Sequence, residues 1–178
     1  MVELPAAAKC TDIVSKKGYA AIECITRHNR AKEAAKAEKV IKKRNADFKQ
    51  SVKTKAKWLE ELQTVFNQYV RLRDINEGCI SCDKPSNWNG QWHASHYYSR
   101  GHSSSLRFNL LNVHKSCSVC NSHLSGNIGE YKPRIIEKIG IDNFNHITSI
   151  KSDVKAFDIE WIKKAIKITR KAIKKRGA

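Results

Sequence analysis

Two short runs, CISC at 79–82 and CSVC at 117–120, decide how the middle of this chain folds. A two-residue gap lets both sulfurs of a Cys-x2-Cys pair reach one ion, and two such pairs supply the four thiolates of a tetrahedral zinc site, with Zn–S at about 2.3 Å. Cys79, Cys82, Cys117 and Cys120 therefore read as structural zinc ligands. Four thiolates leave no open position on the metal, so the site is scaffold and any chemistry must lie elsewhere. Of the six cysteines only Cys10 and Cys24 remain, with His28 nearby, too few for a second such frame.

Between the two knuckles lie QWHASHYYSRG (91–101) and SLRFNLLNV (105–113), each reading as a strand or extended run, joined through the polar loop SRGHSSS. Alternate side chains of a strand point to opposite faces, so His93 and His96 meet only through a turn or bulge, and Tyr97 and Tyr98 should part, one to the core and one to solvent. The expected order is knuckle, strand, loop, strand, knuckle, helix. Turn clusters at DKPSN, SRGHSSS and SGNIG suit a small loop-rich domain in which a metal replaces part of a core. Trp88 and Trp92 should cover that core rather than stack on bases, and Asn127 should serve a turn. Pro133 is expected to open a short helix, PRIIEKI, that Gly140 closes.

Further out, Trp58, Leu59, Leu62, Val65, Phe66, Tyr69, Val70 and Leu72 recur at helical spacing and end near Gly78. This stripe suits either a core or the interface of a homodimer. Residues 29–57 contain no Gly or Pro and few large apolar residues, which predicts a solvated basic helix. From about residue 152, Val154, Phe157, Trp161, Ala165, Ile168 and Ala172 suit one face of a helix crowded by lysines. Three zones follow: a basic N-terminal arm, helical or partly disordered (1–55), an amphipathic helix with the metal-held core (56–150), and a basic C-terminal helix (151–178).

The 178 residues carry 34 Lys and Arg against 17 Asp and Glu, a formal net charge of +17, with pI near 9.8. That excess exceeds what solubility needs and predicts a polyanionic partner, most often nucleic acid. No apolar run approaches the roughly 20 residues of a membrane span, and the N-terminal sequence lacks the apolar segment of a secretory signal. A soluble cytoplasmic protein, without membrane contact, is expected.

The run LRFNLLNVHKSCSVCNSHLSGN (106–127), with CISC and QWHASHYY, resembles the His-Asn-His or ββα-metal nucleases with a zinc-bound frame. It resembles more closely the lambdoid phage NinG, or Rap, recombination proteins. The resemblance covers roughly residues 58–141, and more weakly the basic flanks. It implies an α+β fold, a zinc-held, treble-clef-like ββα-metal core flanked by basic α-helices. It also implies a phage-encoded, structure-selective DNA endonuclease in the host cell that nicks branched DNA such as Holliday junctions and D-loops. By the same resemblance His96 activates water, Asn112 orients that histidine's loop, and Asn121 ligates a catalytic divalent metal.

Two departures qualify the match. Ser95 stands where many such nucleases carry an acidic or histidine ligand, and His93 stands where the close family tends to place aspartate. A neutral imidazole can replace a carboxylate, though it shifts preference away from Mg2+ toward softer ions such as Mn2+. His93 and His123 are thus further candidate ligands beside Asn121, for Mg2+ or Mn2+. Arg100 and Arg107 could clamp a phosphate oxygen by their guanidinium forks, and His114 could contact metal or phosphate or else hydrogen-bond within the fold. The competing expectation is a zinc-held module that binds branched DNA without cutting it, for which the absent acid before His96 speaks. An RNA-binding zinc protein suits the charge but lacks a stacking motif.

Overall fold

The computed structural model describes residues 18–177, and side chains from residue 25 onward; Cys10 and the side chain of Cys24 lie outside the described residues. The chain divides into two compact units, Met1–Lys53 and Thr54–Ala178.

In the first unit, helix α1 runs from Gly18–Ser51. Every described side chain of this helix is exposed, including Val40, Ile41 and Phe48. Its apolar residues are scattered around the circumference rather than gathered on a face, as the Ala, Lys and Glu-rich sequence leads one to expect. Exposed pairs such as Lys42 with Glu38, 2.7 Å apart, link successive turns.

In the second unit, α2 (Lys55–Arg73) opens on Thr54, whose side chain accepts the Lys57 N–H. Trp58, Leu62, Val65, Phe66 and Val70 are buried along one stripe. Trp58 and Leu62 pack with Phe157, Ile162 and Ile166, whereas Phe66 and Val70 pack on Val113. The buried part of the stripe is therefore the chain's own core, while Leu59, Tyr69 and Leu72 are only partly buried.

The sheet is a two-stranded antiparallel pair, β1 (Trp92–His96) and β2 (Val113–Cys117). Its register is unbroken, from Trp92 opposite Cys117 to His96 opposite Val113, so no bulge lies between His93 and His96. All of β2 is buried. The expected strand over 105–113 is instead a series of turns, with β2 beginning only at Val113. Asn112 is the cause: fully buried, it accepts the Tyr98 N–H at 2.8 Å and donates to the carbonyls of Tyr98 and Leu106 at 3.0 and 3.1 Å. It satisfies backbone groups that a longer ladder would otherwise have paired.

After β2 come a five-residue π-helical turn (Val119–His123), α3 (Ile128–Ile139), α4 (Ile141–Ser149) and α5 (Ile159–Arg176). Helix α3 starts five residues before Pro133, which stands inside it. The early start buries Tyr131 completely, and its hydroxyl donates to the Ser95 carbonyl at 3.0 Å, tying α3 to β1. Gly140, at φ 82°, turns α3 directly into α4, a helix not anticipated from the sequence. Tyr131, Ile135, Phe144, Ile147 and Leu106 form one cluster, and Tyr97 and Tyr98 both pack against it. The two tyrosines do not part, because the strand ends at His96 and strict alternation ends with it.

Helix α5 begins at Ile159, capped by Asp158, which accepts the Trp161 N–H at 2.7 Å. Phe157, Trp161 and Ala165 pack inward as expected and are joined by Ile162 and Ile166, whereas Val154 and Ile168 are exposed. The architecture is thus helices around a small antiparallel sheet, an α+β arrangement. Among the described residues, no helix is long and apolar enough to cross a membrane.

Candidate functional site

The four knuckle cysteines meet. Cys79, Cys82, Cys117 and Cys120 place their sulfurs within 4.8 Å of one another, Cys82 and Cys117 being 3.8 Å apart. Backbone N–H groups of Ser81 and Cys117 point at the Cys79 sulfur, and that of Cys120 at the Cys117 sulfur. Burial raises the Cys79 thiol, but the Ser116 hydroxyl and these N–H donors outweigh it and bring the thiol down to about 7. Burial pushes Cys82 and Cys120 up. Four sulfurs so close cannot all lose their protons without a cation among them, and the donor set and spacing fit a tetrahedral ion such as zinc.

The cluster is enclosed as the sequence suggested. Trp88 and Trp92 pack over the cysteines, edge to face with ring centroids 5.2 Å apart. Ser125, Gly126 and Asn127 all take positive φ, and the Asn127 amide reaches back to donate to the Ser81 carbonyl at 2.7 Å. Asn127 thereby ties the start of α3 to the first knuckle.

Suspended from this frame, β1 lines a cavity of about 530 Å3 together with Asn67, Arg71, Arg100, Asn121, Ser125 and Gly126. His93, Ala94, Ser95 and His96 all contribute. Consecutive residues from both strand faces do so because β1 has β2 on one edge only, and the cavity runs along the other. The two histidines share a site without the expected bulge.

His96 donates from Nε2 to the Arg107 carbonyl at 2.9 Å, since a carbonyl can only accept. That fixes the neutral tautomer with a lone pair on Nδ1, which no described residue occupies. Burial, reinforced by the cationic Arg100 and Arg107 and opposed by the hydrogen bond to Arg107, lowers the imidazole to about 4. Asn112 has its place here: it grips Tyr98, two residues beyond His96, and Leu106, one before Arg107. It thus holds both ends of the segment that supplies the histidine's partner.

His93 Nδ1 lies 3.1 Å from the Asn121 amide and 3.4 Å from the Ser122 hydroxyl. His123 is exposed and outside the cavity. Arg100 lines the cavity, but Arg107 does not: its guanidinium donates to Gln63 at 3.0 Å and covers the Phe108 ring. His114 is buried, with Nδ1 taking a hydrogen bond from Arg73 at 3.0 Å and Nε2 donating to the Leu111 carbonyl at 3.1 Å. Neither ring nitrogen is open to a phosphate. The buried Asp74 completes that network, receiving both the Arg73 fork and the Lys115 N–H.

Two lining residues, Asn67 and Arg71, were not foreseen. Gln63, Asn67 and Arg71 stand four residues apart on α2, and Gln63 donates to Asn67 at 2.8 Å. This polar row beside the apolar stripe was the available signal.

The family model described as Bacteriophage Lambda NinG protein matches residues 5–177. The chain is 39% identical over 101 residues to the ninG protein of Salmonella phage P22, covering 57% of this chain and 49% of that one. Identity to the ninG protein of Escherichia phage lambda is 38% over 101 residues, covering 57% and 48% respectively. For that of Escherichia phage 933W it is 36% over 131 residues, or 67% of this chain and 64% of the relative. The chain spans about half the length of the first two relatives. No solved structure matches it. With the family model covering nearly the whole sequence, the chain belongs to the NinG family of lambdoid phage proteins.

Proposed function

We propose that this protein is a metal-dependent, HNH-type endonuclease that nicks branched DNA during phage recombination. One observation carries the reading: a neutral, oriented imidazole with an unclaimed Nδ1 lone pair, His96, lines the same carboxylate-free cavity as the His93–Asn121 pair. His96 takes a proton from water at Nδ1 as the water oxygen attacks phosphorus, and the bond from phosphorus to the departing 3′ oxygen breaks. The carbonyl of Arg107 holds the imidazole through that transfer and favours the imidazolium that forms. Asn112 keeps the segment bearing that carbonyl in place.

The Asn121 amide N–H donates to His93 Nδ1 at 3.1 Å, so this bond would have to open, freeing Nδ1 and turning the amide oxygen inward, for the two side chains to ligate one ion. They would hold Mg2+ or Mn2+, which when bound supplies positive charge to the phosphate and the departing oxygen. Two neutral ligands bind such an ion weakly, so the phosphate itself would complete the site. Zinc on the four cysteines is structural in this reading. The basic surface of α1 and α5 would follow phosphate backbones by shape, without base readout.

The absence of any carboxylate from the cavity favours a second reading, a zinc-held module that binds branched DNA without cutting. Incubating the protein with labelled Holliday junction, D-loop and plain duplex, in Mg2+, Mn2+ or EDTA, separates the two. Nicks confined to branched DNA and absent in EDTA support the nuclease. Binding without nicks under every metal supports the module.

A further inference from the structure

A second cavity adjoins the one just described, and Arg71 lines both. It encloses about 510 Å3 between the C-terminal turn of α2 and the Trp92 side of the sheet. Pockets of about 300–1,000 Å3 are the size that encloses small organic groups. Leu72, Ile75 and Trp92 give it apolar walls, and Gln68 and Ser86 offer hydrogen-bonding groups. Ile75 is 56% exposed, a large apolar side chain open to solvent among cations. Lys115 adds positive charge, its Nζ 4.4 Å from the Trp92 ring centroid and 3.0 Å from the Ile75 carbonyl that accepts from it.

The charges of the two cavities agree, since neither contains a carboxylate. The cavity beside the first knuckle, by contrast, sets Glu77, Asp83 and Glu137 against Lys84, Arg134 and Lys138, and two of those bases are already paired, Arg134 with Asp83 and Lys138 with Glu77. Arg71 itself is half-buried, and no described residue holds its guanidinium in a hydrogen bond or ion pair. Its neighbours are committed: Arg73 to Asp74 and Arg107 to Gln63. An arginine fixed on a helix, with an unused fork, between two acid-free cavities is suited to a phosphate shared by two adjoining groups.

We propose that the second cavity is a subsite for an unpaired nucleotide next to the cleaved bond, and that Arg71 holds the phosphate joining the two sites. The proposal rests on the nuclease reading of the first cavity. It accounts for structure selectivity without base readout: a nucleotide at a branch is already unstacked and enters readily, whereas one in plain duplex must first be extruded. Apolar walls and a few hydrogen-bonding groups favour an unstacked base of any sequence.

The test uses a four-way junction carrying 2-aminopurine, whose fluorescence rises on unstacking, beside the branch. Full-length wild type, Arg71→Ala, Ser86→Phe and Gln68→Ala are compared for fluorescence on binding without divalent metal, for junction and duplex affinity, and for cleavage with metal. Wild type should raise the fluorescence. Ser86→Phe, which fills the cavity, should abolish the rise and weaken junction binding roughly ten-fold while leaving duplex binding unchanged. Gln68→Ala, at an exposed helix position, should reduce the rise by removing a hydrogen-bonding group, and Arg71→Ala should lower the rise and the cleavage rate together. Cleavage by wild type without a fluorescence rise, or with a rise unaltered by every variant, overturns the subsite and leaves the nuclease standing. A rise lost in the variants, with no cleavage by wild type under any metal, keeps the subsite and removes the nuclease.

Discussion

His96 at the end of β1 and His114 near the start of β2 look alike by the usual criteria. Each is largely buried, each is lowered to about 4 chiefly by burial, and each donates from Nε2 to a carbonyl of the segment joining the strands. They differ at Nδ1. In His114 that atom receives Arg73 and lies 4.0 Å from the buried Asp74, so the ring is a structural cross-link. In His96 no described residue claims it, and the ring borders a cavity. A depressed pKa therefore reports burial in both, and only an unclaimed lone pair facing open space distinguishes a group able to move a proton.

The largest expected effect follows from that difference. His96→Ala should lower the single-turnover cleavage rate by about 10²–10⁴-fold, the range for losing a general base, with zinc content and junction binding unchanged. Equal cleavage by the variant would erase the distinction between the two rings. Asp74→Asn acts on the other side of the comparison, leaving Arg73 and Lys138 beside a neutral group, and should cost about 3–5 kcal/mol in urea unfolding.

Lowering pH should sharpen the comparison further. His114 has a folded value of about 4 against an unfolded value near ~6.5, so the unfolded chain binds the proton first as pH falls. Its contribution is fully present above pH ~6.5 and is lost between there and 4, about 3 kcal/mol in all. Burial raises Asp74, but the Arg73 bond outweighs it and holds the carboxyl low, so its contribution is lost at still lower pH. Replacing His114 with Gln should flatten the first window of the stability profile. His96, by the same shift, should place the acid limb of kcat/KM nearer pH 4 than 6.5.

The smallest effect concerns Arg107. Its carbonyl serves His96 while its guanidinium serves Gln63, so Arg107→Ala should cost about 1 kcal/mol of stability and change cleavage only a few-fold. A loss of rate as deep as that of His96→Ala would show that the guanidinium reaches the phosphate.

These contrasts also mark what the sequence made legible. Spacing announced the cysteine cluster because a two-residue gap admits few geometries, and the period of α2 announced its buried stripe. Neither rule reaches the turns at 104–112, where the single side chain of Asn112 outweighs the extended look of LRFNLLN. Nor does local spacing place Arg71 beside His93, since the sheet's register and the packing of α2 bring them together. For His114 the sequence left open a phosphate contact or a bond within the fold, and local spacing could not choose because its partners, Arg73 and Asp74, come from the end of a helix about forty residues earlier.

The most direct measurement is single-turnover cleavage of a labelled four-way junction by His96→Ala and His114→Ala, both saturated with junction and both retaining zinc. The expected result is a rate near wild type for folded His114→Ala and a loss of at least about 100-fold for His96→Ala. Equal rates for the two variants, whether both near wild type or both abolished, would contradict the assignment of the base to His96.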